Sequence, residues 1–593
     1  MDVPTDRSRV SRRLLLAGAG GALTGSAGCL RRLGNLSERP DRDQLTVTIT
    51  ALPIDSDPFA LEIAAELAAG LEAVGIDYRL SPTDAETLYQ EVLLGHNFDI
   101  YVGQLPYGRR PNPDTLYPLF HSRFSAELGW QNPFGFTDLD CDDLLETQRT
   151  TEGDSRREAI TDLQTLLGRT QPFVPLVLPE ETTGVRTTRF RGWETALDRL
   201  PHGLLKLVSA DAEETRLRMA STDSRITTNR NPISATHHTG RSLVQLLYDS
   251  LVLVDDGERL PWLASDLSWD DEPLQVDIEL REDLEWHDGE PLTAADVAFT
   301  YRFLADTSLG SAPEPIPATR FRAESTLVST VDTDDEQHLT VRFEETTQPV
   351  ARQALTVPIL PAHVWEAYTD TVSVAGIEID GSTTEALVSN NEEPVGSGPI
   401  QFSEAADGTE VLFIRFENHF LTTTDDDRLS AFHGGPAFDE LLVQLAASHG
   451  TAVELLMNGG TDAALSPISP NSVDRIRKAD SVTAYPRRSH AIYHLGFNTR
   501  RTHFSNPNLR RLIARLVDKA TLAETVFGGF GQPVASPLAE TDWLAAELEW
   551  SDDTDPAVPF FRSDGDLNAE AAREAFREAG FRYNEDGELM VSS

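Results

Sequence analysis

The sequence predicts an α/β fold divided into two or three lobes, and three observations support this expectation. A chain of 593 residues is longer than a single hydrophobic core usually serves. Residues 45–102 show strand and helix patterns in the order βαβαβ, which is typical of a parallel sheet covered by helices. Residues 243–304 show a second α/β pattern that contains a hairpin. We therefore expect mixed α/β lobes.

The first pattern combines alternating apolar residues in its strands with apolar spacing of three to four residues in its helices. It predicts strands at 45–50, 76–80 and 98–102 and helices at 59–73 and 88–94. The loop after the third strand contains Arg109 and Arg110. Loops that follow parallel strands often bind ligands, and guanidinium groups suit a carboxylate or phosphate. An exposed arginine pair neutralised by local acids is the alternative.

The second pattern contains signals for both a hairpin and a helix. The expected elements are a helical run ending at Tyr248, strands at 251–254 and 274–280, and a helix at 294–304. Asp288-Gly289 predicts the turn before that helix. Thr293 and Asp296 have the spacing of a capping box, which predicts that the helix begins at residue 294.

Further helices and strands are predicted outside these two patterns. Helices are expected at 141–149 and 156–167, and an apolar strand at 173–178. An acidic connector at 210–214 precedes a new strand at 216–220. Near the end of the chain, residues 568–581 have the apolar spacing of a helix followed by a glycine stop.

The charge of the chain excludes one class of partner. A formal net charge of −46 and a pI near 4.5 give a surface that would repel nucleic acid. The acidic residues are spread along the whole chain, which favours solvation in high salt over binding of a specific cationic partner. We therefore expect a halophilic source.

The first 44 residues have the features of a targeting segment and a linker. Arg12 and Arg13 precede a short apolar stretch, as in a Tat signal, and this stretch is too short to span a bilayer. Ser26-Ala27-Gly28-Cys29 is similar to a lipobox, so we expect cleavage before Cys29 and lipidation of its thiol. Residues 1–29 are thus predicted as signal and 30–44 as polar linker; an uncleaved hydrophobic tail is the alternative. Cys141 alone remains, which allows no intrachain disulfide.

Catalytic and metal-binding motifs do not emerge from the sequence. His287 beside Asp288 offers too few convergent ligands, and Asp-Gly is a standard turn. His237-His238 could hold a metal chelate, although a plain loop is favoured. The glycine-rich stretch 527–531 could cradle an anion, with a tight turn as the favoured alternative. Gly396-Ser397-Gly398 lacks the spacing of a nucleophile elbow. We expect no enzyme activity, no cofactor and no metal site.

Four blocks of the chain resemble one family in the same order. They are Tyr248-Asp249-Ser250-Leu251, residues 280–297 around Trp286-His287-Asp288-Gly289, residues 394–399 (PVGSGP), and residues 495–499 (LGFNT) with 508–519. Together they are similar to the signature of family 5 extracellular solute-binding proteins, the dipeptide, oligopeptide and nickel receptors of ABC importers. Earlier pieces, such as Asn112-Pro113-Asp114, are similar to segments that this family carries in its C-terminal third.

The resemblance implies a two-lobed, type II periplasmic-binding-protein-like α/β fold with a hinge between the lobes. It implies a lipid-anchored receptor on the extracellular face of the membrane, expected to be monomeric, that delivers a peptide or small solute to permease and ATPase subunits. The hinges would lie at 493–499 and near 178–189. The ligand-binding residues predicted on this basis are Thr228, Asn229, Gln104, Tyr107, Arg109, Arg110, Tyr493 and Asn498.

The order of the blocks suggests a circular permutation of the family. Segments similar to the family's C-terminal lobe precede its usual start, which is expected at the strand 216–220. The predicted boundaries are 45–185 for the first part of lobe II, 186–212 for a return segment and connector, 213–495 for lobe I, and 496–593 for the second part of lobe II. Residues after Gly587 should then lie near Leu45, and helices 59–73 and 568–581 should share a lobe. Two independent domains divided near residue 210 are the alternative.

Two other functional classes stay open on the sequence alone. A secreted hydrolase could use a serine with one of the 14 histidines. A surface sensor without a transport role could use the same fold. The loop at 104–110 has no acid to pair with a peptide amine, so the resemblance also predicts a blocked or anionic ligand.

Overall fold

The computed structural model describes residues 42–105, 112–211, 215–235, 242–373, 382–466, 468, 470–479, 481–489, 491–551, 554–563 and 566–592. By internal contacts the chain divides into two units, residues 44–590 and residues 1–43 with 591–593. The unit of residues 44–590 contains both lobes and the candidate site. Of the predicted elements, the targeting segment with Cys29 and the loop with Tyr107, Arg109 and Arg110 lie outside the described residues.

Two larger sheets contain most of the described strands, which are labelled here in chain order. They are β1 Thr46–Ala51, β2 Asp77–Pro82, β3 Ile100–Leu105, β4 Phe173–Val185, β5 Arg216–Ser221, β6 Ala264–Asp271, β7 Leu274–Leu280, β8 Val328–Thr333, β9 His338–Phe343, β10 Ile400–Ala406, β11 Glu410–Arg415, β12 Glu440–Leu445, β13 Ala463–Ala464, β14 Thr483–Arg488, β15 Ile492–Phe497 and β16 Gly531–Pro533.

The larger sheet runs through the whole unit, and its two ends contain different arrangements of parallel and antiparallel strands. Its strand order is β10-β11-β12-β5-β13-β4-β15-β3-β1-β2, with β14 and β16 also paired to β4. At one end β1 is parallel to both β2 and β3, which confirms the parallel unit predicted for residues 45–102. At the other end β5 is parallel to β12 and β13, while β10, β11 and β12 are antiparallel.

Strand β4 joins the two halves of this sheet. Its first residues pair with β15 and β16, and its last residues pair with β14 and β13. The pairing partners of β4 change at Pro179–Glu180, where the chain crosses from one half of the sheet to the other. The chain crosses back between the end of β14 at Arg488 and the start of β15 at Ile492. We call residues 44–179 with 491–590 the amino-terminal lobe, and residues 180–489 the central lobe. Two adjacent crossings of extended chain allow hinge motion between lobes.

The second sheet belongs to the central lobe. It has the antiparallel order β6-β7-β9-β8, and β7 occupies the residues 274–280 that alternation predicted. Val276 and Ile278 on its buried face join a continuous core that runs from Val185 to Ala463. Leu94 and Leu128 of the amino-terminal lobe pack into the same core, so the two lobes contact each other directly.

Sixteen α-helical segments lie within the described residues, most of them short. They are α1 Ala60–Ala73, α2 Ala85–Leu93, α3 Leu116–Phe120, α4 Leu139–Thr150, α5 Gly153–Thr170, α6 Trp193–Asp198, α7 Ala294–Ala305, α8 Arg322–Ser325, α9 Gln348–Ala351, α10 Ala362–Trp365, α11 Glu385–Val388, α12 His449–Asn458, α13 Pro470–Arg477, α14 Pro507–Ala514, α15 Lys519–Thr525 and α16 Ala569–Glu578.

Local chemistry explains where several helices begin. Thr293 and Asp296 form the predicted capping box, and α7 starts at Ala294. Asp57, three residues before α1, accepts the N–H groups of Phe59 and Ala60 at 2.9 and 3.1 Å and so satisfies donors at the start of the helix. The helical run expected to end at Tyr248 is wrong, because residues 243–246 form only one 3₁₀ turn. Strand β4 also extends to Val185, well past the predicted end at 178, because its second half pairs with β14.

The last described strand, Leu589–Ser592, begins beside the start of β1. Leu45 N–H donates to the carbonyl of Leu589 at 2.9 Å, and Leu589 N–H donates to the carbonyl of Gly75 at 2.8 Å. Arg573 of α16 donates to the carbonyl of Ala73 at the end of α1, at 3.1 Å. The start of β1, the end of α1 and residues 573–589 therefore pack as one body. Whether this order is a permutation of the family stays a prediction.

The predicted lobe boundaries differ from the positions at which the chain crosses. The boundary between residues 495 and 496 falls inside β15, all six residues of which pair with β3. The boundary at 185 falls at the end of β4, whereas the crossing lies at Pro179–Glu180. Extended residues on either side of each crossing look alike in sequence, so pairing partners alone decide where one lobe ends.

Candidate functional site

A cavity of about 1110 Å³ lies between the two lobes. Leu105, Leu119 and Trp130 line it from the amino-terminal lobe, and Tyr248 and Arg320 from the central lobe. Arg487, near the end of β14, lines it at the crossing. Its volume lies slightly above the range of roughly 300–1,000 Å³ usual for small-ligand sites. The cavity therefore has room for a ligand larger than one amino acid.

Arg487 supplies buried positive charge to this cavity. Only 6 % of the residue is exposed, and its Nη2 pairs with Glu181 Oε2 at 2.7 Å across the β4–β14 pair. Ser489 Oγ donates to the other oxygen of Glu181 at 2.8 Å. Among the described residues, Arg487 Nε and Nη1 have no hydrogen-bond partner. Glu181 thus fixes the guanidinium while leaving N–H donors unused.

Two further polar side chains on the cavity wall have unused groups. Gln131 is 1 % exposed, and neither atom of its amide meets a partner in the described part of the chain. Arg320 donates from Nη1 to the carbonyl of Pro232 at 3.1 Å, and its Nε lacks a described acceptor. Burial lowers the pKa of Arg320 to about 10, so the guanidinium stays charged at neutral pH.

The predicted residues Gln104 and Tyr493 lie on neighbouring strands beside the cavity. Tyr493 is 1 % exposed, and its hydroxyl donates to Asp57, with oxygens at 2.9 and 3.0 Å. Burial, and next to it the Asp57 carboxylate, raise the pKa of Tyr493 well above its usual value. The hydrogen bond with Gln104 lowers this pKa but offsets only part of the rise. Burial also raises the pKa of Asp57. This network joins the crossing strand β15 to the start of α1.

The predicted residues Thr228, Asn229 and Asn498 bond within loops. Thr228 Oγ1 donates to the carbonyl of Arg225 at 3.3 Å, and Asn229 Oδ1 accepts the N–H of Asn231 at 3.0 Å. Asn498 Nδ2 donates to the carbonyls of His96 and Phe98, at 2.8 and 2.9 Å. Asn498 thereby holds the end of β15 to the loop before β3.

The five described side chains among the predicted ligand-binding residues do not line the cavity, although Leu105, next to Gln104, does. Arg487 and Gln131 were not predicted. Arg487 stands beside a second arginine in an ordinary strand pattern, and Gln131 lies in a loop without regular periodicity. Only their burial without partners singles them out.

Direct bonds between the lobes close one side of the cavity. Arg322 forms two hydrogen bonds with the carboxylate of Glu127, at 2.8 and 2.9 Å. Arg149 donates to the carbonyl of Ala323 and to Thr326 Oγ1, both at 3.0 Å. The Arg149 guanidinium is also paired with Asp114 at 2.6 Å and stacked over the ring of Tyr117. These bonds favour the conformation in which the lobes touch.

The family-like blocks around Trp286 and Gly396 have a packing role. The N–H of His287 donates to the carbonyl of Gly396, and that of Gly398 to the carbonyl of Leu247. A Cβ on Gly396 would meet the carbonyl oxygen of Leu247 at 1.8 Å, so only glycine allows this approach. Burial lowers the pKa of His287 to about 4. Within the described residues, no group of three His, Cys, Asp or Glu side chains could hold a metal ion.

Two α/β lobes joined by paired strand crossings, with a cavity between them, define a two-lobed ligand-binding protein of the periplasmic-binding type. The chain belongs to the bacterial extracellular solute-binding proteins, family 5, whose middle region matches residues 258–592. The resemblance found in the sequence is thereby confirmed. Members of this family are solute receptors.

Curated relatives and solved structures are similar over part of the chain. The oligopeptide-binding protein AppA of Bacillus subtilis is 22 % identical over 60 % of this chain and 59 % of its own length. A putative ABC transporter peptide-binding protein of Brucella ovis is 23 % identical over 51 % of each chain. The match to such relatives spans about half of their length.

Among solved structures, NikZ from Campylobacter jejuni with Ni(L-His) is 19 % identical, with a TM-score of 0.46, over 63 % of this chain and 65 % of that chain. In the described part of this protein, no helix has the length and apolar character to cross a bilayer.

Proposed function

We propose that this protein is a lipid-anchored extracellular substrate-binding protein of an ABC importer that captures peptides or related small solutes. The cavity between two lobes that are joined by two adjacent strand crossings is the observation that carries this proposal. A ligand in the cavity would contact both lobes and stabilise the closed form. The receptor would then present the closed form to permease and ATPase subunits, and this sequence of events requires no catalysis.

The direct test combines ligand identification with a measure of closure. Native mass spectrometry of freshly purified protein would show whether a solute of the peptide class is carried along. Small-angle X-ray scattering with and without a saturating peptide should show a smaller radius of gyration in its presence. A ligand at a free concentration of 100 times its Kd should raise the free energy of unfolding by about 2.7 kcal/mol. Hydrolysis of peptide or ester substrates by the purified protein, with no change in shape, would instead support a secreted hydrolase.

We infer that the lipid anchor is attached at Cys29. The small residues before this cysteine, and the twin arginines upstream, support the inference. Replacing Cys29 by serine should release the mature protein into the medium without altering its ligand affinity. A Cys141→Ser variant is the matched control, and membrane retention of Cys29→Ser would contradict the inference.

We also infer that the chain is a circular permutant of its family. The bonds of Leu589 to Leu45 and Gly75 support this inference, because they bring the last strand to the start of β1. The test is a protein encoded by a reordered gene, which begins at residue 215, connects residue 590 to residue 44 through a short linker and ends at residue 209. This protein should fold. Its melting temperature and ligand affinity should match those of the original order. A control opened within β5 should not fold, and failure of both chains would count against the inference.

A further inference from the structure

One residue of the amino-terminal lobe makes four hydrogen bonds to the central lobe. Arg149 donates from Nη1 to Thr326 Oγ1 and from Nη2 to the carbonyl of Ala323, both at 3.0 Å. Its own carbonyl accepts the hydroxyl of Thr346 and the N–H of Thr347, both at 3.1 Å. We call these four contacts the α4 latch, because Arg149 lies in the last turn of α4.

The guanidinium of Arg149 is held in position by its own lobe. Its Nε and Nη2 donate to the two oxygens of Asp114 at 2.6 and 2.9 Å, and its Cζ lies 3.3 Å from the ring centroid of Tyr117. The side chains of Arg149 and Asp114 are only 5 % and 3 % exposed. A donor that is already fixed loses little freedom when it meets an acceptor, and burial keeps water from competing. The latch should therefore contribute more to closure than the partly exposed pair of Arg322 and Glu127.

The carbonyl half of the latch uses a group that a helix leaves without a partner. The last four carbonyls of an α-helix have no donor within the helix, and that of Arg149 is one of them. Thr346 and Thr347 of the central lobe supply the missing donors. Because all four bonds belong to one residue, a rotation of the lobes about the strand crossings breaks them together.

The latch lies behind the cavity wall, out of contact with a bound solute. Ala323 and Thr115 line the cavity, whereas Arg149 and the three threonines of the latch do not. The latch consists of protein groups alone, so it stabilises the closed form with or without a solute. A solute passes only through the open form, and a contact that stabilises both closed states slows its entry as well as its escape.

We propose that the α4 latch holds the protein closed before a solute binds, and that breaking this latch limits the rates at which solute enters and leaves the cavity. Arg149 is then a positioning residue, since it acts on the lobes and not on the solute. The second half of the proposal rests on the proposed receptor function, and the first half does not.

The first test measures the distance between the lobes in protein freed of solute by dialysis. Spin labels are attached at Glu66→Cys in α1 and Glu404→Cys in β10, both exposed positions, in the full chain with Cys29→Ser. Cys141 takes no label, because it is fully buried and burial raises the pKa of its thiol. Pulsed electron double resonance should then give one short distance for the otherwise unchanged chain.

The variant that opens the latch carries Thr326→Val and Thr346→Val. It removes two latch bonds and leaves the buried pair of Arg149 and Asp114 intact, so no uncompensated charge is created. A second, longer distance should appear in this variant, and Thr346→Val alone should show less of it. The matched control is Thr147→Val/Thr150→Val on the same helix, whose hydroxyls donate to carbonyls within α4. The control should keep the single short distance.

The second test measures the exchange of tetraalanine by stopped flow, followed by tryptophan fluorescence because Trp130 lines the cavity. One net hydrogen bond corresponds to a factor of about five in an equilibrium constant, so the loss of two should raise both the association and the dissociation rate constants by about tenfold or more. Faster association is the distinctive result, since a residue that touches the solute changes mainly the dissociation rate.

The outcomes separate this inference from the receptor function. A long distance in the solute-free chain, or a latch variant with the same distance as the control, would overturn the inference and leave the receptor function standing. Faster dissociation with unchanged association would also overturn it, because the latch would then act only on the liganded form. No binding of tetraalanine, together with the short distance and its change in the latch variant, would count against the proposed peptide function and support the latch.

Discussion

Lys519 and Asp555 form a buried ion pair whose loss should destabilise the protein measurably. The two side chains are 2 % and 4 % exposed, and Nζ lies 2.5 Å from Asp555 Oδ2. Lys519 also donates to the carbonyl of Val534 at 3.0 Å. Asp555 Oδ1 accepts the N–H groups of Ala557 and Val558 at 2.8 and 3.0 Å. The pair therefore fixes the start of α15 to two loops.

Removing the lysine alone leaves a buried carboxylate without its counter-charge. Breaking a buried pair from one side typically costs about 3–5 kcal/mol. Unfolding entropy of roughly 2.1 cal/mol/K per residue, applied to 593 residues, gives about 1.2 kcal/mol/K. Lys519→Met should therefore lower the melting temperature by about 2–4 °C when the chain unfolds as one unit. Because the pair is buried, 1 M salt should change this difference little.

Differential scanning calorimetry of three variants checks this reasoning. The double variant Lys519→Met/Asp555→Asn removes both charges and should recover most of the loss, since asparagine still accepts the two N–H groups. Lys478→Met is the matched control, because Lys478 is exposed. A shift below about 1 °C for Lys519→Met, or a double variant as unstable as the single one, would refute the account.

Three further outcomes follow from the contacts between the lobes and from three histidines whose pKa values burial lowers. Glu127→Gln should weaken the closed form by about 1 kcal/mol or less, because its pair with Arg322 is partly exposed, and scattering without ligand should give a larger radius of gyration. The exposed Glu404→Gln is its control, and an unchanged radius would contradict the role of the pair. Arg149→Met should have a stronger effect than Glu127→Gln on both the radius of gyration and the melting temperature, because its guanidinium also pairs with buried Asp114. Burial lowers the pKa of His494 to about 3 and that of His202 and His287 to about 4, from 6.5. Since these folded pKa values lie below the unfolded one, stability should hold above pH 6.5 and fall as pH drops toward 4, and a melting temperature that is flat over this range would contradict it.

The sequence was most informative where local chemistry alone determines structure. The capping box at Thr293 and Asp296, the alternation at 274–280 and the parallel unit at 45–102 all depend on residues that are close in the chain. The helix predicted to end at Tyr248 is wrong for the opposite reason, because the structure there depends on residues that are distant in the chain. Its apolar residues Leu243, Val244, Leu246 and Leu247 are buried in the central core, the first three of them in a 3₁₀ turn, so their spacing reflects tertiary packing and not a helix.

The site depends on partners that are far apart in the chain, and sequence patterns cannot display these. Arg487 becomes notable only because β14 pairs with β4 and places Glu181 opposite it, some 300 residues away. Gln131 becomes notable only because a loop without periodicity buries its amide on the cavity wall. The family signature contains residues that pack within the lobes. Gly396 and His287, for example, pack through their backbone contacts. Gln131 and Arg487 take no part in those backbone contacts, so candidate ligand-contacting groups have to be sought among buried polar atoms that lack partners within the described residues.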